Sequence, residues 1–280
     1  MTKWRTYEET HDRMIVPGRL WILPQLYSPQ LDNHRDVVAY LPPSYGEEGR
    51  RYPVIYMQDG QNLFDPESSF VGHWGLAETM DALAAEGLEA IVVGVANTGT
   101  RRIYEYAPFR DGSYGGGGGE RYLSFLADTV RPAVNAAFPT RRERRYTAIA
   151  GSSMGGLISL YAFFHYRQVF GLCGAMSPSL WFAREAIFNA LTPHTYVPGR
   201  TYLDVGSREV ARRRTRVGRH WASQRYAAQV RKMERLLRKK GYRPGEELLF
   251  VHEEGGVHHE SAWGRRFPAM ARFLLQEALD

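Results

Sequence analysis

Cysteine is almost absent: Cys173 is the single thiol in 280 residues, so no disulfide can close within the chain. A packed core must then hold the fold, and a reducing, cytoplasmic setting is the simplest expectation. No run of 18 residues is both strongly apolar and free of charge, so no membrane span is expected. The first nine residues, Met1 to Glu9, are polar and acidic and lack the apolar centre of a signal peptide. Zinc-site patterns are missing too: there is no His-Glu-x-x-His and no cysteine set. The glycine run Gly115–Gly119 is not followed in register by the lysine and hydroxyl residue that a phosphate cradle needs. It reads as a mobile loop leading into a helix over 120–138. No metal and no organic cofactor is expected.

What is present suits a globular α/β protein. Hydrophobic residues make up 44% and charged residues 24%, enough for a core and a hydrated surface. The net charge of +6 owes much to two arginine clusters, Arg141, Arg142, Arg144 and Arg145, then Arg208, Arg212, Arg213, Arg214, Arg216 and Arg219. An anionic partner is one reading. With no nucleic-acid motif beside them, a solvated surface is the preferred one, and neither a nucleic-acid nor a membrane partner is expected.

Strand-like and helix-like segments alternate along the chain. Leu20–Leu26 and Val37–Leu41 read as an antiparallel pair near a sheet edge, and Pro42-Pro43 stops the second. Runs 53–57, 89–96, 146–150, 172–177, 200–206 and 248–252 are short, apolar and partly β-branched, as buried parallel strands are. Helices fit about 75–86, 156–164, 221–240 and the C-terminal stretch around Phe267, Met270 and Leu274. No linker, repeat or break in composition divides them. One doubly wound, mostly parallel sheet with helices on both faces, a single domain over 1–280, is the economical reading. Cys173 and His252 fall inside strands and are expected to be core residues.

Gly151-Ser152-Ser153-Met154-Gly155 stands between the 146–150 strand and the 156–164 helix. A strand, a sharp turn and a helix would hold the Ser153 hydroxyl exposed at a strand end, with the Met154 N–H aimed at the same spot. The loop from Gln58 to Asp65 follows another strand, and there the Gln61 N–H could supply a second oxyanion donor. A serine needs a base, and the base needs an orienting acid. An acid follows the 200–206 strand: Asp204 lies within the strand, and Glu209 lies beyond Gly206 where the active face should be, so Glu209 is preferred. His258 and His259 both lie in the loop after the last strand, and spacing does not separate them. Trp74, Trp181 and Arg101, with Arg102 beside it, lie in loops at strand ends and are candidates for substrate contact. Packing under loops, or a plain surface position, is the alternative for each.

These pieces together resemble a family of α/β-hydrolases, the "putative esterase" group that includes enterochelin esterases and feruloyl esterase domains. S-formylglutathione hydrolases and mycolyltransferases are more distant relatives. The resemblance rests on Tyr56 to Asp65, Gly151 to Gly156, Leu203 to Glu209 and His258 to Trp263, and spans about Leu20 to Leu275. It implies an α/β-hydrolase fold and a Ser-Glu-His triad of Ser153, Glu209 and His258. His258 is favoured because the family's histidine stands five positions before the tryptophan, here Trp263. The arginines after Glu209 depart from the pattern. The implied activity is hydrolysis of a small carboxylic ester through an acyl-enzyme. Rival readings are an acyltransferase using the same triad and a non-catalytic binding protein on the same scaffold.

Overall fold

The computed structural model describes residues 3–69, 71–211 and 215–276. Arg212, Arg213 and Arg214 of the second arginine cluster lie outside them. The strands are β1 (Arg5–Thr6), β2 (Leu20–Ser28), β3 (Asn33–Tyr40), β4 (Val54–Gln58), β5 (Ile91–Val95), β6 (Arg110–Asp111), β7 (Gly115–Gly116), β8 (Thr147–Ser152), β9 (Leu172–Met176), β10 (Arg200–Arg208) and β11 (Leu248–Val257). Nine of them make one sheet in the order β1-β2-β3-β5-β4-β8-β9-β10-β11, and β6 pairs with β7 apart from it. Every pair from β5 to β11 is parallel, while β1, β2, β3 and β5 pair antiparallel.

The central strands are buried on both faces, which is why they read as continuous apolar runs. Alternation still sorts their side chains. Ile55, Met57, Ala148 and Ala150 join one core, with helices Leu76–Ala85 and Glu260–Leu275. Tyr56 and Ile149 join the other, with helices Met154–His165 and Arg216–Lys239. Fully burying a side chain such as Phe163 or Phe267 stabilises the fold by about 1.5–3 kcal/mol. A mostly parallel sheet with helices on both faces is the α/β-hydrolase arrangement expected from the sequence.

The strand order positions the site. From β4 the chain steps outward to β5, and it later returns to the other side of β4 as β8. A reversal of this kind opens a crevice at the carboxyl ends of the two strands. Those ends carry Gln61 and Ser153.

Three expectations change. The five glycines are not one open loop: Gly115 and Gly116 are β7, and a Cβ would lie 2.4 Å from the Phe109 carbonyl oxygen at Gly116, 2.4 Å from the Tyr104 ring at Gly118 and 2.7 Å from the Pro108 backbone at Gly119. At those three, neighbouring backbone and rings come too near for a side chain, while Gly115 and Gly117 hold φ of 79° and 96°, a region that favours glycine. The helix expected over 120–138 is interrupted by a π-helical turn at Leu126–Val130, where the Arg131 N–H reaches back to the Leu126 carbonyl. Pro132 follows at once, and its missing N–H and bulky ring favour a widened turn. His252 is exposed, because β11 is the edge strand of the sheet. Its Nδ1 lies 3.3 Å from Arg231. Cys173 is fully buried, and burial pushes its thiol up.

Candidate active site

β8 ends at Ser152, and Ser153 turns the chain into helix Met154–His165 with φ 57° and ψ −118°. Such a backbone costs a non-glycine residue about 1–3 kcal/mol and persists only when its surroundings fix it. Here the Ser153 N–H donates to the Met176 carbonyl at 3.0 Å, and the Ser153 carbonyl accepts from Ser179 N–H at 2.9 Å and Leu157 N–H at 3.1 Å. The glycines around it leave room for the Gln58 side chain. A Cβ on Gly151 would sit 2.1 Å from the end of the Gln58 side chain, and one on Gly155 3.3 Å from it. With its amide nitrogen turned towards its acceptors, Gln58 donates to the Ala150 carbonyl at 2.6 Å, the Gly155 carbonyl at 3.2 Å and Ser159 Oγ at 3.1 Å. A buried amide bolts the end of β4 to the turn that carries Ser153.

The loop after β4 is held just as firmly. Asp59 adopts φ 58° and takes hydrogen bonds from Arg102 Nε (2.8 Å) and Nη2 (2.7 Å) and from Asn97 Nδ2 (2.7 Å). Gly60 rests on Gly94 so closely that a Cβ would meet its backbone at 2.5 Å. Gln61 lies in the short turn Gly60–Asn62, its side-chain oxygen accepting the Asn97 N–H at 3.2 Å. The Arg102 guanidinium is committed to Asp59. Burial opposes its charge, yet the Asp59 carboxylate holds it above its ordinary pKa.

β10 and β11 bring up the remaining groups. They touch at Gly206 and Gly256, where a Cβ on Gly206 would lie 2.2 Å from the Gly256 carbonyl oxygen. Past that contact, His258 Nε2 lies 3.0 Å from Ser153 Oγ, and His258 Nδ1 lies 2.6 Å from Glu209 Oε2. Burial pushes the Glu209 carboxyl up, but His258, Ser177 Oγ and the Gly206 N–H bond to it and together hold it below the ordinary range. The His258 ring stands edge-on to Trp263, with centroids 4.9 Å apart, and to Tyr226, at 5.6 Å. Serine, imidazole and carboxylate so arranged can pass a proton from the hydroxyl and stabilise the imidazolium that results.

The neighbouring candidates face elsewhere. His259 is exposed and caps the last helix, its Nδ1 accepting the Ser261 N–H at 3.2 Å. Asp204 points into the protein, towards the Ser177 N–H at 2.9 Å and the Arg266 guanidinium at 3.3 Å. Burial pushes its carboxyl up to about 7. Trp74 is not a pocket wall. Only 7% exposed, it packs on Trp263 (centroids 5.9 Å apart), one layer behind His258, because Gly264 lets the closing helix approach its backbone. Trp181, 38% exposed, lines a groove of about 670 Å³ with Tyr114, Trp221, Arg225 and Tyr226. The Tyr226 ring links that groove to His258. Arg101 is exposed, with its guanidinium over the Tyr104 ring. Sequence reasoning missed Ser177, Ser179 and Arg266. Ser179 Oγ lies 3.1 Å from Ser153 Oγ. Ser177 directly follows a strand end, a position where a functional side chain could have been sought. Among the described residues, no three His, Cys, Asp or Glu side chains group as metal ligands do.

Residues 28–274 match the family model described as "Putative esterase". The chain belongs to that family. It is an enzyme of carboxylic ester hydrolysis. This esterase is 28% identical to the uncharacterized protein YbbA of Bacillus subtilis over 243 residues, covering 84% of this chain and 90% of the other. It is 34% identical to the siderophore triacetylfusarinine C esterase of Aspergillus fumigatus over 133 residues, 46% of this chain and 44% of that one. In fold it resembles the siderophore hydrolase EstB from Aspergillus nidulans, at a TM-score of 0.70 and 21% identity, covering 92% of this esterase and 96% of that chain. No helix among the described residues is long and apolar enough to cross a membrane.

Proposed function

We propose that this esterase cleaves its substrate through an acyl-enzyme on Ser153. His258 takes the Ser153 proton as the hydroxyl oxygen attacks the ester carbonyl carbon. The Met154 and Gln61 N–H groups stabilise the oxyanion, each such donor contributing about 10²–10³ in rate. Glu209 orients His258 and stabilises its imidazolium. The imidazolium returns the proton to the leaving alkoxide, and water, deprotonated by His258, then releases the acid. The observation that carries the reading is the unbroken Ser153–His258–Glu209 chain, with its two links of 3.0 Å and 2.6 Å. The groove at Trp181 and Tyr114 is apolar enough to take the acyl or alcohol portion of an aromatic ester. Relatives named as siderophore and feruloyl esterases guide the choice of substrates to try. The single, buried cysteine fits work in the cytoplasm, which cell fractionation would check.

The test is hydrolysis of p-nitrophenyl, feruloyl and siderophore esters by the wild type, Ser153→Ala, His258→Ala and His259→Ala. The first two variants should lose about 10⁴-fold or more. His259→Ala should keep activity within about tenfold and lose about 1 kcal/mol of stability with its helix cap. Turnover surviving in Ser153→Ala would exclude the acyl-enzyme.

A further inference from the structure

Ser177 takes no part in those steps, yet all of its polar atoms are engaged. Its N–H donates to Asp204 Oδ1 at 2.9 Å, and its carbonyl accepts from the Tyr226 hydroxyl at 2.7 Å. Its Oγ lies 3.1 Å from Trp263 Nε1, 3.2 Å from Arg266 Nη2 and 2.7 Å from Glu209 Oε1. An indole N–H and a guanidinium can only donate, and a serine hydroxyl has one proton and two lone pairs. Trp263 and Arg266 therefore occupy both lone pairs, and the proton has one direction left, towards Glu209. The backbone at Ser177 has φ 40°, a strained value for serine that a packed, fully bonded setting can hold. Glu209 is thus gripped at Oε1 while Oε2 faces His258.

We propose that Ser177 is a positioning residue: its hydroxyl, aimed by Trp263 and Arg266, holds Glu209 ionised and directed at His258. This rests on the Ser153–His258–Glu209 reading above. The charged and titratable groups around Glu209 are His258, Arg266, Asp204 and the Tyr226 phenol. When His258 is neutral, the Glu209 charge rests on hydrogen bonds alone, from the imidazole N–H, the Gly206 N–H and the Ser177 hydroxyl, so the Ser177 bond counts for more than when an imidazolium faces it. Losing that bond therefore destabilises the neutral-His state more than the imidazolium state and raises the proton affinity of His258.

The experiment compares Ser177→Ala, Glu209→Ala and the double variant, with pH profiles of kcat/KM. Ser177→Ala should lower kcat by about 10–100-fold, the range for losing a hydrogen bond to a charged group. KM should change little, and the acid limb should move to higher pH. In the Glu209→Ala background, removing the Ser177 hydroxyl should cost less than about threefold. Ser177→Cys keeps the volume with a weaker donor and should fall between wild type and Ser177→Ala, even if the alanine variant folds poorly. An unmoved acid limb, or a Ser177→Ala loss that multiplies fully onto that of Glu209→Ala, would overturn the positioning role alone. Full activity in Glu209→Ala would overturn the triad reading and this proposal with it.

Discussion

The middle of β10 and the loop just beyond its end hold two buried carboxyls five residues apart, and their surroundings drive them in opposite directions. Asp204 is 0% and Glu209 5% exposed, so depth does not separate them. Donors do. Glu209 gathers His258, the Ser177 hydroxyl and the Gly206 N–H, and these outweigh the burial that pushes its carboxyl up. Asp204 has the Ser177 N–H and, at 3.3 Å, the Arg266 guanidinium, and there burial prevails and lifts the carboxyl to about 7. One residue, Ser177, reaches both: its backbone serves Asp204 and its side chain serves Glu209. A buried carboxylate that stays charged beside a histidine needs donors more than it needs exposure.

The sharpest way to break this comparison is to remove one charge at a time. Glu209→Gln keeps the shape but loses the charge and offers His258 a donor in place of an acceptor, which favours the wrong imidazole tautomer. By analogy with the loss of a triad acid, kcat/KM should fall by about 10³–10⁴. Asp204→Asn should keep kcat/KM within about tenfold. Steady-state kinetics on the best ester of the panel decides it, and the reverse pattern would make Asp204 the acid.

How far each feature can be read from sequence follows from how local its cause is. Ser153 is legible because strand, glycine, serine, glycine and helix are contiguous. Glu209 stands out from Asp204 because loops after strand ends form the active face. His258 and His259 cannot be told apart by spacing: neighbours in extended backbone point to opposite sides, and His259, at φ −156°, is extended. Only the resemblance to the esterase family favoured the histidine that meets Glu209. Trp74 and Trp181 look alike as loop residues, yet the closing helix, nearly two hundred residues on from Trp74, buries it and leaves Trp181 open. Ser177 and Arg266 are 89 positions apart, and nothing in either segment announces the other.

A smaller effect tests the Asp204 side alone. Asp204→Ala leaves the buried Arg266 guanidinium without its carboxyl partner and opens a small cavity. The cost should be about 3 kcal/mol, the low end for breaking a buried ion pair, since Glu253 remains 3.5 Å from Arg266 Nε. Urea melts at pH 8.5, well above the Asp204 value of about 7, measure it. A loss under about 0.5 kcal/mol would mean that Arg266 draws nothing from Asp204.

The subtlest test asks whether Asp204 is protonated in the folded enzyme at all. Its folded pKa, about 7, lies above the ordinary aspartate value of about 3.9. Between those values the native state keeps a proton that the unfolded chain has released. Its contribution to stability is therefore complete below about pH 4 and is lost as pH rises through 7, by at most about 1.4 kcal/mol per pH unit. Glu209 has the opposite sign: its lowered pKa contributes stability above the ordinary carboxyl range, lost as pH falls through the folded value. Asp204→Asn removes the first contribution and leaves the second. Urea melts of wild type and Asp204→Asn at pH 5, 6 and 7 should then diverge, with the variant gaining on the wild type at each step up. A difference that stays constant across that range would mean that Asp204 is already ionised at pH 5. Burial would then have lost at Asp204 as it does at Glu209, and the contrast between the two carboxyls would reduce to which of them His258 can reach.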